Sequence, residues 1–140
     1  MKPPCIFVAI SFFLISCEII NPPEQIPSYI RISNIKFDTL GNGSVSHKIV
    51  DAWLEVDNEI IGTFELPATI PVLKQGTKKI KIYAGIYSDG IKGLRVIYPF
   101  YTNYDSIHAL EVGEIMAINP TVTYDTAVKF PFPEEDFEKV

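Results

Sequence analysis

Residues 47–57 (HKIVDAWLEVD) and 78–87 (KKIKIYAGIY) alternate between apolar and polar side chains with a period of two. That period sends successive side chains to opposite faces of an extended chain, so each stretch reads as a strand with one face toward a core. In the first, Val50, Ala52, Leu54 and Val56 face in, while Asp51, Trp53 and Glu55 face out. In the second, Ile80, Ile82, Ala84 and Ile86 point one way and Lys79, Lys81, Tyr83, Gly85 and Tyr87 the other. No window of the chain carries convincing helical periodicity.

The remaining segments fit around these two. Tyr29 to Phe37 (YIRISNIKF) reads as a first strand, but Ile30 and Ile32 are on one parity and Ile35 and Phe37 on the other. A β-bulge near Ser33-Asn34 would reconcile them. Asp57-Asn58-Glu59 reads as a turn, and Ile60 to Leu66 returns as a hairpin partner with Ile60, Phe64 and Leu66 toward the core. Pro67-Ala68-Thr69-Ile70-Pro71 is extended, and two prolines exclude it from a central ladder, so it should run along an edge or cross between sheets. Leu94–Tyr98, His108–Val112, Glu114–Ile118, Thr121–Tyr124 and Ala127–Phe130 are shorter strand candidates. About seven to eight short strands without a disulfide predict an immunoglobulin-like β-sandwich over residues 28–130, with a small barrel as the alternative.

Upstream lies a different kind of signal. Met1-Lys2 is a short basic start, and Ile6 to Ile15 is an apolar run of about 10 residues, long enough for a secretory leader and too short to span a bilayer. Leu14-Ile15-Ser16-Cys17 closes it as a lipobox: Leu three residues before a Cys, a small Ser just before it, and a thiol to take the lipid. Residues 1–16 are expected to be removed as a signal peptide, leaving an acylated Cys17 as the membrane contact. Glu18 to Pro27, with three prolines, reads as an extended tether. Cys5 leaves with the leader, so the mature chain is expected to hold no disulfide and no free thiol. The expected location is the cell envelope, at the outer membrane.

Composition narrows the partners. The chain has a formal charge of −5, with Lys78, Lys79 and Lys81 as the only basic cluster, so no nucleic acid is expected. His47 and His108 are the only histidines, neither is spaced for metal ligation, and no metal or cofactor is expected. There is no phosphate-cradling Gly loop and no Gly-x-Ser-x-Gly. Asp51 and Glu55 flank Trp53 as in sugar chemistry, yet four residues of strand separate them by about 13 Å. Glycosidase pairs need about 5–5.5 or 6.5–9.5 Å. Glu55 and Asp57 come nearer, but they flank a hairpin turn. No catalytic residue is assigned. The candidate ligand face is aromatic: Trp53, Tyr83 and Tyr87 on outward positions, with Tyr98 and Tyr101 beyond. Such a face can stack on polysaccharide rings or anchor another envelope protein, or simply pair across strands to stabilise the sheet.

Residues 54–86 (LEVDNEIIGTFELPATIPVLKQGTKKIKIYAGI) resemble the PEGA-type surface module, a small immunoglobulin-like β-domain. Two positions depart from its pattern: Asn58 stands where Gly is usual, and Thr63-Phe64 replaces Thr-Pro. From Asp51 to Tyr101, including LPATIPVL and YPFY, the chain also resembles the N-terminal domain of uncharacterised lipoproteins from Bacteroidota-type bacteria. Both resemblances imply a β-domain on the envelope, and neither brings a catalytic residue. At the end of the chain, residues 131–140 read as a solvated acidic tail or as the start of a further domain. Asp136-Phe137-Glu138 there resembles the opening of lectin-like jelly-roll domains. These readings together predict a non-enzymatic, lipid-anchored spacer, adhesion or envelope-assembly module, with glycan binding as the alternative.

Overall fold

The computed structural model describes residues 24–41 and 45–129. Ten strands run in order: β1 (Ser28–Ile32), β2 (Lys36–Asp38), β3 (Asp51–Val56), β4 (Glu59–Glu65), β5 (Ala68–Val72), β6 (Gly76–Tyr87), β7 (Arg95–Ile97), β8 (Tyr104–Leu110), β9 (Ile115–Ile118) and β10 (Thr121–Thr123). They form a five-stranded sheet (β4-β3-β6-β7, with β8 also on β6), a three-stranded sheet (β5-β1-β9) and a two-stranded sheet (β10-β2). Their apolar faces share one buried cluster, the arrangement of a β-sandwich.

β3 and β6 are the strands that alternation predicts. They pair antiparallel from Asp51↔Gly85 to Val56↔Ile80. Ala52, Leu54, Val56, Ile80, Ile82 and Ala84 are all buried, and Ile86 is half-buried. β6 is long enough to carry β8 along its first half and β7 along its last three residues, on the same edge.

The parity conflict between Ile32 and Ile35 has a different solution from the expected bulge. The strand changes sheets. β1 ends at Ile32, and β2 pairs with β10 in a separate sheet. Ile30, Ile32, Ile35 and Phe37 all reach the same core, from two sheets. The return segment does the same thing alongside: β9 runs parallel to β1, β10 runs parallel to β2, and Lys36 N–H donates to the Pro120 carbonyl at the crossing (2.9 Å). Two strands that leave a sheet together keep their hydrogen bonds through the corner.

The proline segment takes both of the routes open to it. β4 lies in the five-stranded sheet and β5 in the three-stranded one, so the chain crosses at Leu66-Pro67. β5 then forms an edge, with Pro71 opposite Tyr29 and Ile70 and Val72 buried.

Three strand-level expectations are corrected. Ile60 is 68% exposed rather than in the core. Asp57 and Asn58 both have positive φ (52° and 64°), closing a two-residue hairpin. The pairing then slips: Glu55 faces Ile60, but Leu54 faces Gly62. The extra residue turns Ile60 outward, while Ile61, Phe64 and Leu66 pack on the core. Asp51, expected to face water, is buried. Residues 127–129 are not strand, because Asp125 closes a turn by accepting the Ala127 N–H (2.8 Å). Phe130, the leader and lipobox (Leu14, Ile15, Ser16, Cys17) and residues 131–140 lie outside the described residues.

Ile82→Ala should cost about 2–5 kcal/mol in urea denaturation, because it opens a cavity in the shared core. Ile107→Ala, on the exposed face of the neighbouring β8, should stay within about 0.5 kcal/mol. Equal losses would contradict the division into faces.

Candidate functional site

Trp53, Tyr83 and Tyr87 do share one surface, the outer face of the five-stranded sheet. Trp53 sits opposite Tyr83 on β6 and Thr63 on β4. Their polar partners are already engaged. Tyr83 donates its hydroxyl to Glu55 Oε2 (3.2 Å), and Lys81 Nζ donates to Glu55 Oε1 (2.8 Å) and Asn58 Oδ1 (3.2 Å). The Lys81 hydrogen bond holds the Glu55 carboxyl below its usual range, and that bond likewise raises Lys81. Burial, then the bond to Glu55, pushes the Tyr83 phenol up. One row further, Lys79 pairs with Asp105 (3.0 Å). At the hairpin, Lys78 pairs with Asp57 (2.9 Å) and holds its carboxyl below the usual range.

The centre of this face was not legible as a site. Asp51 lies on an outward position yet is 0% exposed. Its cross-strand neighbour Gly85 leaves a gap in the side-chain layer, and Trp53 folds into it. A Cβ on Gly85 would stand 2.9 Å from both Trp53 Nε1 and Asp51 Cβ. Arg95, from β7, closes the top. Its Nη1 donates to Asp51 Oδ1 (2.6 Å), its Nη2 donates to Glu65 Oε2 (2.9 Å), and its guanidinium lies 5.8 Å from the Tyr87 ring centre. Burial pushes the Asp51 carboxyl up, opposed by the Arg95 charge and reinforced by Glu65. Asp51 Oδ2 and Trp53 Nε1 are buried with no hydrogen-bond partner. The signal available in the sequence was the glycine itself: an outward Gly between Tyr83 and Tyr87 marks a place where a large neighbour needs room.

Tyr98 and Tyr101 belong elsewhere. Tyr101 packs at a tilt against Phe37 (4.5 Å between ring centres) and meets Tyr98 edge-on (4.4 Å), and it bridges to Tyr124. Phe37 in turn meets Tyr124 edge-on at 4.9 Å. Burial pushes the Tyr101 phenol up to about 12. This aromatic group packs against the core beside the two-stranded sheet. Its rings are spent on one another.

A cleft of about 260 Å³ opens between β8 and β9, lined by Tyr29, Leu110, Glu111, Glu114 and Met116 among others. Ligand pockets usually hold about 300 Å³ or more. Among the described residues, no group of three or more His, Cys, Asp or Glu could hold a metal ion. His47 is exposed, and His108 shares a 2.9 Å hydrogen bond with the Tyr104 hydroxyl. No protein-family model, no curated protein and no solved structure matches the chain.

Gly85→Ala should lose about 1–3 kcal/mol from overpacking, with Trp53 fluorescence shifting as the indole is displaced. Arg95→Met should lower stability at neutral pH, because it leaves the Asp51 charge buried without its partner. A carboxyl whose pKa is raised by folding contributes stability at low pH and loses it as pH rises through the folded value. Without Arg95 that rise is larger, so the deficit of the variant should shrink on acidification toward about pH 4. A deficit that stays constant with pH would separate Arg95 from Asp51.

Proposed function

We propose that the protein is a lipid-anchored module of a bacterial cell envelope, held at the outer membrane by acylated Cys17. In this reading it is non-enzymatic and serves as a spacer, adhesion or envelope-assembly unit. The observation that carries the reading is the order lipobox, proline-rich tether, folded domain. Leu14-Ile15-Ser16-Cys17 supplies the address, and among the described residues the first strand begins at Ser28. Ser28 is buried, and its hydroxyl donates to the carbonyls of Val72 (3.1 Å) and Lys74 (3.0 Å), which ties the first residue of the domain to β5 and its loop. Glu24 to Ile26 just before it are exposed, as a tether requires. The sandwich is taken as immunoglobulin-like, supported by strands that pass between sheets at its corners.

Cys17→Ser tests the address. Metabolic labelling with a fatty acid should mark the native chain and miss the variant, which should remain uncleaved or mislocalised. A variant retained normally in the membrane fraction would sink the reading.

Glycan binding is the second reading, favoured by the placement of Trp53, Tyr83 and Tyr87 on one sheet face. The saturation of Tyr83 by Glu55 and the folding of Trp53 over Gly85 favour a structural role instead. Tyr83→Ala with Tyr87→Ala should lower stability and leave polysaccharide retention unchanged. Retention lost with the fold intact would reverse that order.

A further inference from the structure

The end of the sandwich where the tether enters carries three exposed aliphatic side chains. Ile26 is 62% exposed, Leu73 64% and Val112 44%. They come from three separate segments, and hydrogen bonds bring those segments together. Ser28 Oγ donates to the carbonyls of Val72 and Lys74, which flank Leu73. Gly113 N–H, next to Val112, donates to the Pro27 carbonyl (2.9 Å), and Tyr29 N–H donates to the Glu114 carbonyl (2.9 Å). Three aliphatic side chains thus surround the point where the chain joins the domain.

We propose that this end rests on the lipid surface, with Ile26, Leu73 and Val112 entering the interfacial layer. The proposal builds on the anchor reading above. Cys17 lies nine residues before Ile26, and an extended stretch of that length spans at most about 30 Å. An acylated Cys17 would therefore keep this end within about that distance of the bilayer. Short apolar insertions add to a lipid anchor because apolar area leaves water. The charges select the kind of surface. Lys74 is paired with Glu59 (2.6 Å) and Lys78 with Asp57 (2.9 Å), while Glu24, Glu111 and Glu114 stand near the same end. This excess of carboxylates fits a zwitterionic headgroup layer and is repelled by an anionic one.

The test uses the full-length protein, processed and acylated in cells and reconstituted into phosphatidylcholine vesicles. A single Cys is introduced by Leu73→Cys, or by Ile91→Cys in the exposed loop after β6 at the opposite end, and labelled with an environment-sensitive fluorophore. Both positions are exposed, so neither substitution disturbs the core. The label at 73 should shift to the blue and be quenched by spin-labelled lipid, and the label at 91 should do neither. Adding anionic lipid should weaken the effect at 73. If the protein floats with the vesicles while both labels report water, the surface contact is refuted and the anchor stands. If it carries no acyl mass and does not float, the anchor falls and the proposal with it.

Discussion

Every strand of the larger sheet except β4 is hydrogen-bonded directly to β6. Its twelve residues take β3 on one side and both β7 and β8 on the other. The two faces of this one strand therefore set up the two halves of the molecule. Inward, Ile80, Ile82 and Ala84 give the core a continuous apolar floor. Outward, Lys79, Lys81, Tyr83 and Gly85 decide which side chains of the neighbouring strands find partners. Every residue of β6 has a strand partner on at least one edge, and Ile80 to Ile82 have one on both.

How much of this was legible depends on the distance over which each feature is encoded. β3 and β6 were readable because burial on one face writes a period of two directly into consecutive residues. The break at Ser33-Asn34 was readable as a parity change, but a bulge and a change of sheet produce the same parity change. Only the partner strand distinguishes them, and β10 lies some eighty residues away in sequence. Ile60 failed for a related reason. Its parity relative to Phe64 was correct, and the slip in register between Leu54 and Glu55 cancelled it. Asp51 was the least predictable, since its burial needs Gly85, Trp53 and Arg95 from three separate strands at once. Of the candidate ligand face, the shared side of Trp53, Tyr83 and Tyr87 was legible from alternation, and the separate location of Tyr98 and Tyr101 was not.

The outer face is wired internally, strand to strand. A ligand face needs donors and acceptors left open, or aromatic planes turned to solvent. Here Glu55 accepts from both Lys81 and Tyr83, and Arg95 binds two carboxylates from different strands. The indole of Trp53 lies across Gly85. Each pair alone contributes little where it is exposed. Their joint effect is to fix register across β4, β3, β6 and β7, since a one-residue slip would set these partners on opposite faces. The cost sits at Asp51 Oδ2 and Trp53 Nε1, two polar atoms buried with no partner.

The two ends of the sandwich follow from the same topology. β1 starts beside the end of β5 and the loop before β6, so the tether, Leu73 and Val112 necessarily gather at one pole. The aromatic group of Phe37, Tyr98, Tyr101 and Tyr124 lies instead beside β6, where Tyr98 N–H donates to the Ala84 carbonyl and the chain returns at Tyr104 opposite Ile82. A strand of this length separates the poles by roughly 40 Å. At the far pole the loop after β6 leaves Ile91 and Leu94 exposed, so aliphatic side chains stand at both poles while the aromatic group closes the side between them.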